Sequence, residues 1–288
     1  MEEFIVLSRN NSTTRNGSPF VLLKVKNLSR TIDIAVWDVA ENEGPKVGMK
    51  VMFRNIKDNG GKYSSGSLDM LVEGFPKEND PLYDILPHPI RKEEWDKCFK
   101  TLEGHCTDAK LREIIGEYKD KLYNEYKNLP AAAGVHHAFS GGLLNHTYEM
   151  LNMLAGIYPT LSIPIKIERC ILGIMFHDYG KKFEYNTKDD GSIETTKRMY
   201  LFGHIYISAN YLNKILTDKG IDTDEKEKTV HCILAHHGQL EYGSPVMPAT
   251  AEAIIIHHLD NISAKLNSIE YGSDMEYVKA LSTHVIKD

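Results

Sequence analysis

His177 and Asp178 are adjacent, and they follow an uninterrupted apolar run at residues 171–176 (ILGIMF). Leaving polar groups unpaired at the end of a buried helix costs about 2–7 kcal/mol each. A bound cation would make the same arrangement favourable. Further nitrogen and oxygen donors stand at helix-scale intervals: His146, His204, His236, His237 and Asp260. A lone histidine near an apolar face is ordinarily a satisfied core residue, so none of these carries weight by itself. Grouped around an adjacent His–Asp pair, they form a metal-hydrolase pattern. Imidazole and carboxylate donors without thiolate suit manganese, iron, cobalt, nickel or zinc. Asp178 has two oxygens and can serve two divalent ions, whereas His177 binds one. Two cations about 3.5–4 Å apart acidify water and stabilise the entering and leaving oxygens of phosphoryl transfer. The predicted reaction is hydrolysis of a phosphate ester. Lys181 lies three residues beyond Asp178, one turn along a helix, where its ammonium would neutralise a phosphate oxygen. Asp178 and Lys181 are therefore the candidate catalytic residues; the alternative for Lys181 is a solvated side chain beside Lys182.

These donors need elements to carry them. From residue 92 onward the apolar residues recur at helical spacing, beginning with Trp95, Cys98, Phe99 and Leu102. A second helix is predicted over residues 107–129, with Thr107 or Asp108 as its cap. His146 falls early in a helix, His177-Asp178 closes one that begins near Ile165, and His204 opens one over residues 205–216. His236-His237 ends a helix that begins near Lys228, and Asp260 lies inside one over residues 251–266. Ligands on separate helices are what a bundle interior collects. No convincing strand is predicted beyond residue 136, so the C-terminal half reads as all-α.

The first 75 residues read differently. Residues 20–25 are apolar and β-favouring, and 31–38 (TIDIAVWD) alternate, with Ile32, Ile34 and Val36 on one face. Segments at 4–7, 51–56 and 67–72 complete about five short strands, with Asn59-Gly60-Gly61 as a turn signal. That number suits a small OB-like barrel. Pro76, Pro81, Pro87 and Pro89 then punctuate a linker. The expected class is α+β and multidomain: an OB-like barrel over 1–75, a linker with connecting helices over 76–130, and a helical bundle over 131–288.

Composition sets outer bounds. The 288 residues carry a net charge of −6, which does not point to nucleic acid, although the first 75 residues are nearly balanced. No run approaches the roughly 20 apolar residues of a membrane span, and no signal peptide is evident. Cys98, Cys106, Cys170 and Cys232 lack CxxC spacing. The reading is a cytoplasmic protein with reduced thiols and no membrane partner.

The donor set His146, His177-Asp178 and Asp260 resembles the H…HD…D signature of HD-domain phosphohydrolases. Residues 129–147 (LPAAAGVHHAFSGGLLNHT), 176–181 (FHDYGK) and 235–245 (AHHGQLEYGSP) narrow the resemblance to YhaM-type 3′→5′ exoribonucleases, the CMP-binding-factor-like proteins. Residues 31–38 resemble a strand of the OB-fold that this family places before its HD domain. The resemblance implies one metal at His146, His177, Asp178 and Asp260, and a second at Asp178, His204, His236 and His237. It also sets His136, His137, Tyr242 and Ser244 beside the site as candidate substrate contacts. Asn145 and Tyr179 depart from the Glu and the small aliphatic expected there, which bears on substrate preference.

OB barrels hold single strands by stacking bases on aromatics and tracking phosphates with positive charge. Trp37 and Tyr63, with Lys24 and Lys62, are the candidates here. Phe20 and Phe53 are further aromatics, and Trp37 and Phe53 could instead fill the interior; Tyr63 is expected to be the better exposed. A barrel can also join subunits of a homo-oligomer. The expected activity is 3′→5′ hydrolysis of single-stranded RNA, or DNA, to nucleoside 5′-monophosphates. The alternative is a phosphodiesterase or phosphatase acting on small or cyclic nucleotides.

Overall fold

Alternating burial gives the N-terminal strands their sheet. The computed structural model describes residues 1–77, 79–85, 89–132, 139–270, 276–278 and 281–286. Its first seven strands are β1 (Glu2–Thr13), β2 (Pro19–Lys26), β3 (Thr31–Trp37), β4 (Lys50–Phe53), β5 (Lys57–Asp58), β6 (Tyr63–Gly66) and β7 (Met70–Gly74). They join in the order β5-β6-β3-β2-β1-β4-β7, antiparallel except for the parallel β3–β6 pair. The result is a curled mixed sheet, an OB-like half-barrel. The long strand β1 makes the curl: its first residues pair with β4 and the rest with β2. The register slips between Val6 and Ser8, a bulge of the kind that bends a strand. Ile32, Ile34 and Val36 face inward with Phe4, Val21, Leu23 and Phe53, as the alternation predicts. The expected strands omit β5, two exposed residues (KD), and β6 (YSSG), which is polar and buries only Ser65, so neither shows an apolar alternation.

The chain between sheet and helices is pinned at both ends. Leu82 packs on Ile5 and Leu7, and Lys50 pairs with Glu3, Glu73 and Asp80. The Ile90 amide donates to Asn145 Oδ1 at 2.9 Å.

The helical part comprises α1 (Lys92–Glu103), α2 (Ala109–Tyr126), α3 (Gly142–Ile157), α4 (Ile167–Phe176), α5 (Lys181–Glu184), two strands β8 (Tyr185–Thr187) and β9 (Ile193–Thr195), then α6 (Lys197–Leu201), α7 (Gly203–Asp218), α8 (Thr223–Leu234) and α9 (Ala251–Glu270). Asp108 caps α2 by accepting from the Lys110 and Leu111 amides. Every residue of α4 is buried; it runs through the middle of the bundle against α2, α3, α8 and α9. It carries two buried charges: Glu168 accepts from the Thr107 and Asp108 amides, and Arg169 forms a fork with Glu225 and a further bond to Glu252.

The all-α expectation for this half needs correction. A hairpin, β8–β9, interrupts it, and a second pair, β10 (Glu276–Val278) and β11 (Thr283–Val285), follows α9. Each strand has three residues, so no alternation was there to read; the Asp189-Asp190-Gly191 turn was the available signal. The tip of β8–β9 docks on the half-barrel. The Val47 amide donates to the Asp190 carbonyl at 3.0 Å, and Arg9 Nε lies 3.3 Å from Asp190 Oδ2. Gly191 makes this approach possible: a Cβ there would fall 2.7 Å from Val47 Cβ.

Candidate metal centre

Four helix ends and one helix interior meet at a buried point. The buried helix α4 delivers His177 and Asp178 just past its last turn, while α3 brings His146 and α9 brings Asp260. The start of α7 supplies His204, and the end of α8 supplies His236 and His237. Seven predicted donors converge from elements far apart in the chain.

They fall into two groups, with Asp178 between them. His146, His177 and Asp260 form one, and His204, His236 and His237 the other. In the first, His146 Nε2 lies 3.1 Å from Asp260 Oδ1 and 3.2 Å from His177 Nε2. Asp178 turns Oδ2 toward this group, 3.2 Å from His177 Nε2, and Oδ1 toward the other, 3.4 Å from His204 Nε2 and 3.9 Å from His236 Nε2.

The imidazoles share one orientation. His177, His236 and His237 donate Nδ1–H to the carbonyls of Ile174, Ile233 and Tyr242 at 2.7–2.8 Å. A carbonyl only accepts, so the proton sits on Nδ1 and the Nε2 lone pair faces inward. His204 donates Nδ1–H to Glu184 Oε1 at 3.3 Å. His146 Nδ1 lies 2.8 Å from Ser263 Oγ, whose single proton goes to Glu149 Oε2 at 2.5 Å. Five inward lone pairs are what a metal site needs, with outer partners fixing the tautomer. Asp178 Oδ1, His204 Nε2 and His236 Nε2 are buried and have no hydrogen-bond partner among the described residues. Orphaned acceptors facing one another are costly unless a cation joins them. The donor set fits a divalent metal.

Electrostatics agree with that fit. Burial and the neighbouring imidazoles push His236 and His237 down, so both stay neutral. Burial opposes ionisation of Asp178 and Asp260, but Lys181 and His177 around the first, and His146 on the second, hold both far below the usual carboxylate range. Burial also opposes protonation of His177, yet the adjacent Asp178 outweighs it and the net shift is upward; a cation at Nε2 displaces such a proton.

Residues 143–265 match the HD domain family. Over 273 residues the chain is 30% identical to a protein named 3′-5′ exoribonuclease YhaM from Bacillus velezensis, covering 91% of this chain and 84% of that relative. The chain belongs to the YhaM family of HD-domain hydrolases. No solved structure matches it. As a family member it is a phosphodiester hydrolase, and its HD centre takes divalent metal.

Other predicted residues of this YhaM-type chain have varied placements. Lys181 is buried and its ammonium lies 2.6 Å from Asp178 Oδ2, so it is not a solvated lysine. Tyr242 is exposed; its carbonyl orients His237. Ser244 is buried, with its hydroxyl on the carbonyls of Leu234 and Val246, which fixes the loop after α8. His136 and His137 lie outside the described residues. In the sheet, Trp37 is 40% exposed beside Phe20, ring centroids 4.9 Å apart, while Phe53 is buried. Tyr63 is half-buried in β6 under the Arg30 guanidinium, so Trp37, not Tyr63, is the more open ring. Lys24 is half-buried and Lys62 exposed, and neither approaches the metal donors by an observed contact. The two family departures have packing roles: Asn145 holds the linker, and Tyr179 stacks on Tyr211 at 4.2 Å.

Several supporting residues escaped the sequence reading. Glu184, Glu149 and Ser263 orient ligands. His257, which the sequence leaves as either a core or a ligand-supporting histidine, donates Nδ1–H to the His236 carbonyl at 2.9 Å. Glu149 and Ser263 each lie one helical turn past a ligand, a spacing that could have flagged them. Glu184 carried no such signal. Gly180 is a close backbone approach in the site: a Cβ there would sit 2.4 Å from the His204 carbonyl oxygen. Its amide donates to Ser208 Oγ at 2.8 Å, locking the start of α7 against the His–Asp turn.

Proposed function

We propose that this chain removes nucleotides from the 3′ end of single-stranded RNA, releasing nucleoside 5′-monophosphates, and that it does so with two divalent ions, manganese first. The observation that carries the reading is the Asp178 carboxylate, with one oxygen toward each donor group. His146, His177, Asp178 and Asp260 would hold one ion; Asp178, His204, His236 and His237 the other. When bound, such a pair supplies Lewis acidity and water of lowered pKa. The protein's own part is positional. Carbonyls and carboxylates fix each imidazole, Lys181 balances the negative charge that gathers at Asp178 and a phosphate, and the apolar helix α4 lowers the local dielectric. The substrate class is supported by the name of the B. velezensis relative, a 3′-5′ exoribonuclease, and by an OB-like half-barrel, a fold used for single strands.

The test is a time course on 5′-labelled single-stranded RNA with Mn²⁺, comparing wild type with Asp178→Ala. A ladder that shortens from the 3′ end, absent in the variant, is the expected result. An intact strand with wild type rules the reading out. A second reading, hydrolysis of small or cyclic nucleotides, draws on one fact: none of the seven donors comes from the half-barrel. It predicts a kcat/KM on a cyclic dinucleotide above that on RNA.

A further inference from the structure

Two exposed aromatic residues lie on either side of His204 in the chain, and their four-residue spacing puts them on one face of the start of α7 while His204 turns inward. Phe202, two residues before it, is 51% exposed, and Tyr206, two residues after it, is 56% exposed. Their ring centroids are 5.8 Å apart and the planes differ by only 21°, so the two rings stack as a pair, and both remain exposed. Tyr200 and Leu201, on the short helix before them, are exposed as well. Large exposed aromatics are uncommon on a charged surface without a partner. Lys197 and Arg198, also exposed, lie on the same short helix.

A second observation gives the patch a direction. Tyr200 Oη is 3.2 Å from Thr195 Oγ1. Thr195 lines a groove of about 550 Å³ together with Phe20, Lys188 and Glu194. Phe20 in turn contacts Trp37 on the open face of the sheet. Aromatic surface is thus spaced from the half-barrel, across the base of β8–β9, to two rings at the start of α7, the helix that also carries the metal donor His204.

We propose that Phe202 and Tyr206 are a stacking platform for the bases of a single-stranded nucleic acid whose 3′ end enters the metal centre. This rests on the strand-degrading reading above and deepens it. Flat rings that every base can stack on, beside lysine and arginine that can meet the phosphates, give affinity without sequence preference. Near-parallel rings match the face of a base, and the exposed cations beside them, Lys197 and Arg198, suit a polyanion better than a second copy of a chain whose net charge is −6. The occupant is therefore a nucleic-acid strand, and the competing one, a second copy of this chain, is an outcome of the test.

The test uses the full chain and a hydrolysis-resistant single strand of about twelve nucleotides, within the range of strand lengths such surfaces cover. Phe202→Leu with Tyr206→Leu keeps apolar bulk and removes the π faces. It is expected to raise Kd about tenfold or more, with the far-ultraviolet circular dichroism of the wild type. Phe202→Trp is expected to keep wild-type affinity, and the emission of the new indole should be quenched when the strand binds. Wild-type affinity in the double variant, or an unquenched indole, overturns the platform. So does a change in oligomeric state with strand affinity unaltered, which would assign the patch to a subunit contact. The two readings separate cleanly: if wild type shortens RNA and the double variant does so with the same KM, only the platform falls. If wild type neither binds nor cuts RNA, both fall.

Discussion

At the scale of single residues, the centre depends on atoms that never meet a metal. Glu184 is buried and receives both the backbone amide and the ring N–H of His204. Removing it frees the imidazole to rotate and to change tautomer. Glu184→Ala should weaken metal retention roughly 10–100-fold, seen as lower metal content after dialysis and as activity that recovers in excess Mn²⁺. Gly180 makes a harder demand, because the atom a side chain would strike is backbone. In Gly180→Ala the first turn of α7 must retreat and take His204 with it. A fall in kcat on the order of a hundredfold is expected, since displacements near 1 Å cost that much in a preorganised site. An unchanged kcat would mean that α7 can shift without moving the imidazole.

At the scale of elements, the buried α4 is tied to α8 and α9 by the charged fork of Arg169. Glu225 accepts from Arg169 and Lys166. Burial raises its pKa, but those two cations outweigh burial and the net shift is downward. A carboxylate whose folded pKa is depressed stabilises the fold above its unfolded value, ordinarily near 4.5, and that contribution disappears as pH falls through the folded pKa. Glu225→Gln should therefore cost about 2 kcal/mol at neutral pH, and the gap to wild type should close below about pH 4.5 in chemical-denaturation curves measured across pH. A gap that stays constant into acid would show that the fork is held by shape and not by charge. The sequence was informative about these elements where they are long. Period and apolar runs located α2, α3, α4, α7, α8 and α9 to within a few residues, because a helix of ten or more residues repeats its pattern several times. They failed at β5, β6 and β8–β9, short and mostly polar strands that show no apolar alternation. The ligands were legible because histidines in an apolar context are conspicuous; Glu184 was not, because its role comes from a contact with His204, a residue 20 positions away in the chain.

At the scale of the whole molecule, the half-barrel and the helices are joined by the tip of β8–β9. Arg9 is buried on the sheet side and its pKa is lowered, chiefly by burial, although Asp190 and Glu41 pull the other way. Asp190→Ala leaves that guanidinium without its carboxylate, although the carbonyls of Pro45 and Glu41 still accept from it. Loosened docking should appear as faster limited proteolysis near residues 76–90 and as a larger radius of gyration in solution scattering; identical digestion and scattering would mean the backbone bond from Val47 suffices. The hairpin has another consequence, for anyone who recombines such proteins. Its root follows Glu184 directly and its tip grips the sheet, so the complement of the N-terminal sheet is written in two places in the gene. A chimera that exchanges only the first part of the chain would present a new sheet to an old tip. A working exchange needs a second crossover inside the helical half, carrying residues 188–191 along with the sheet they were matched to.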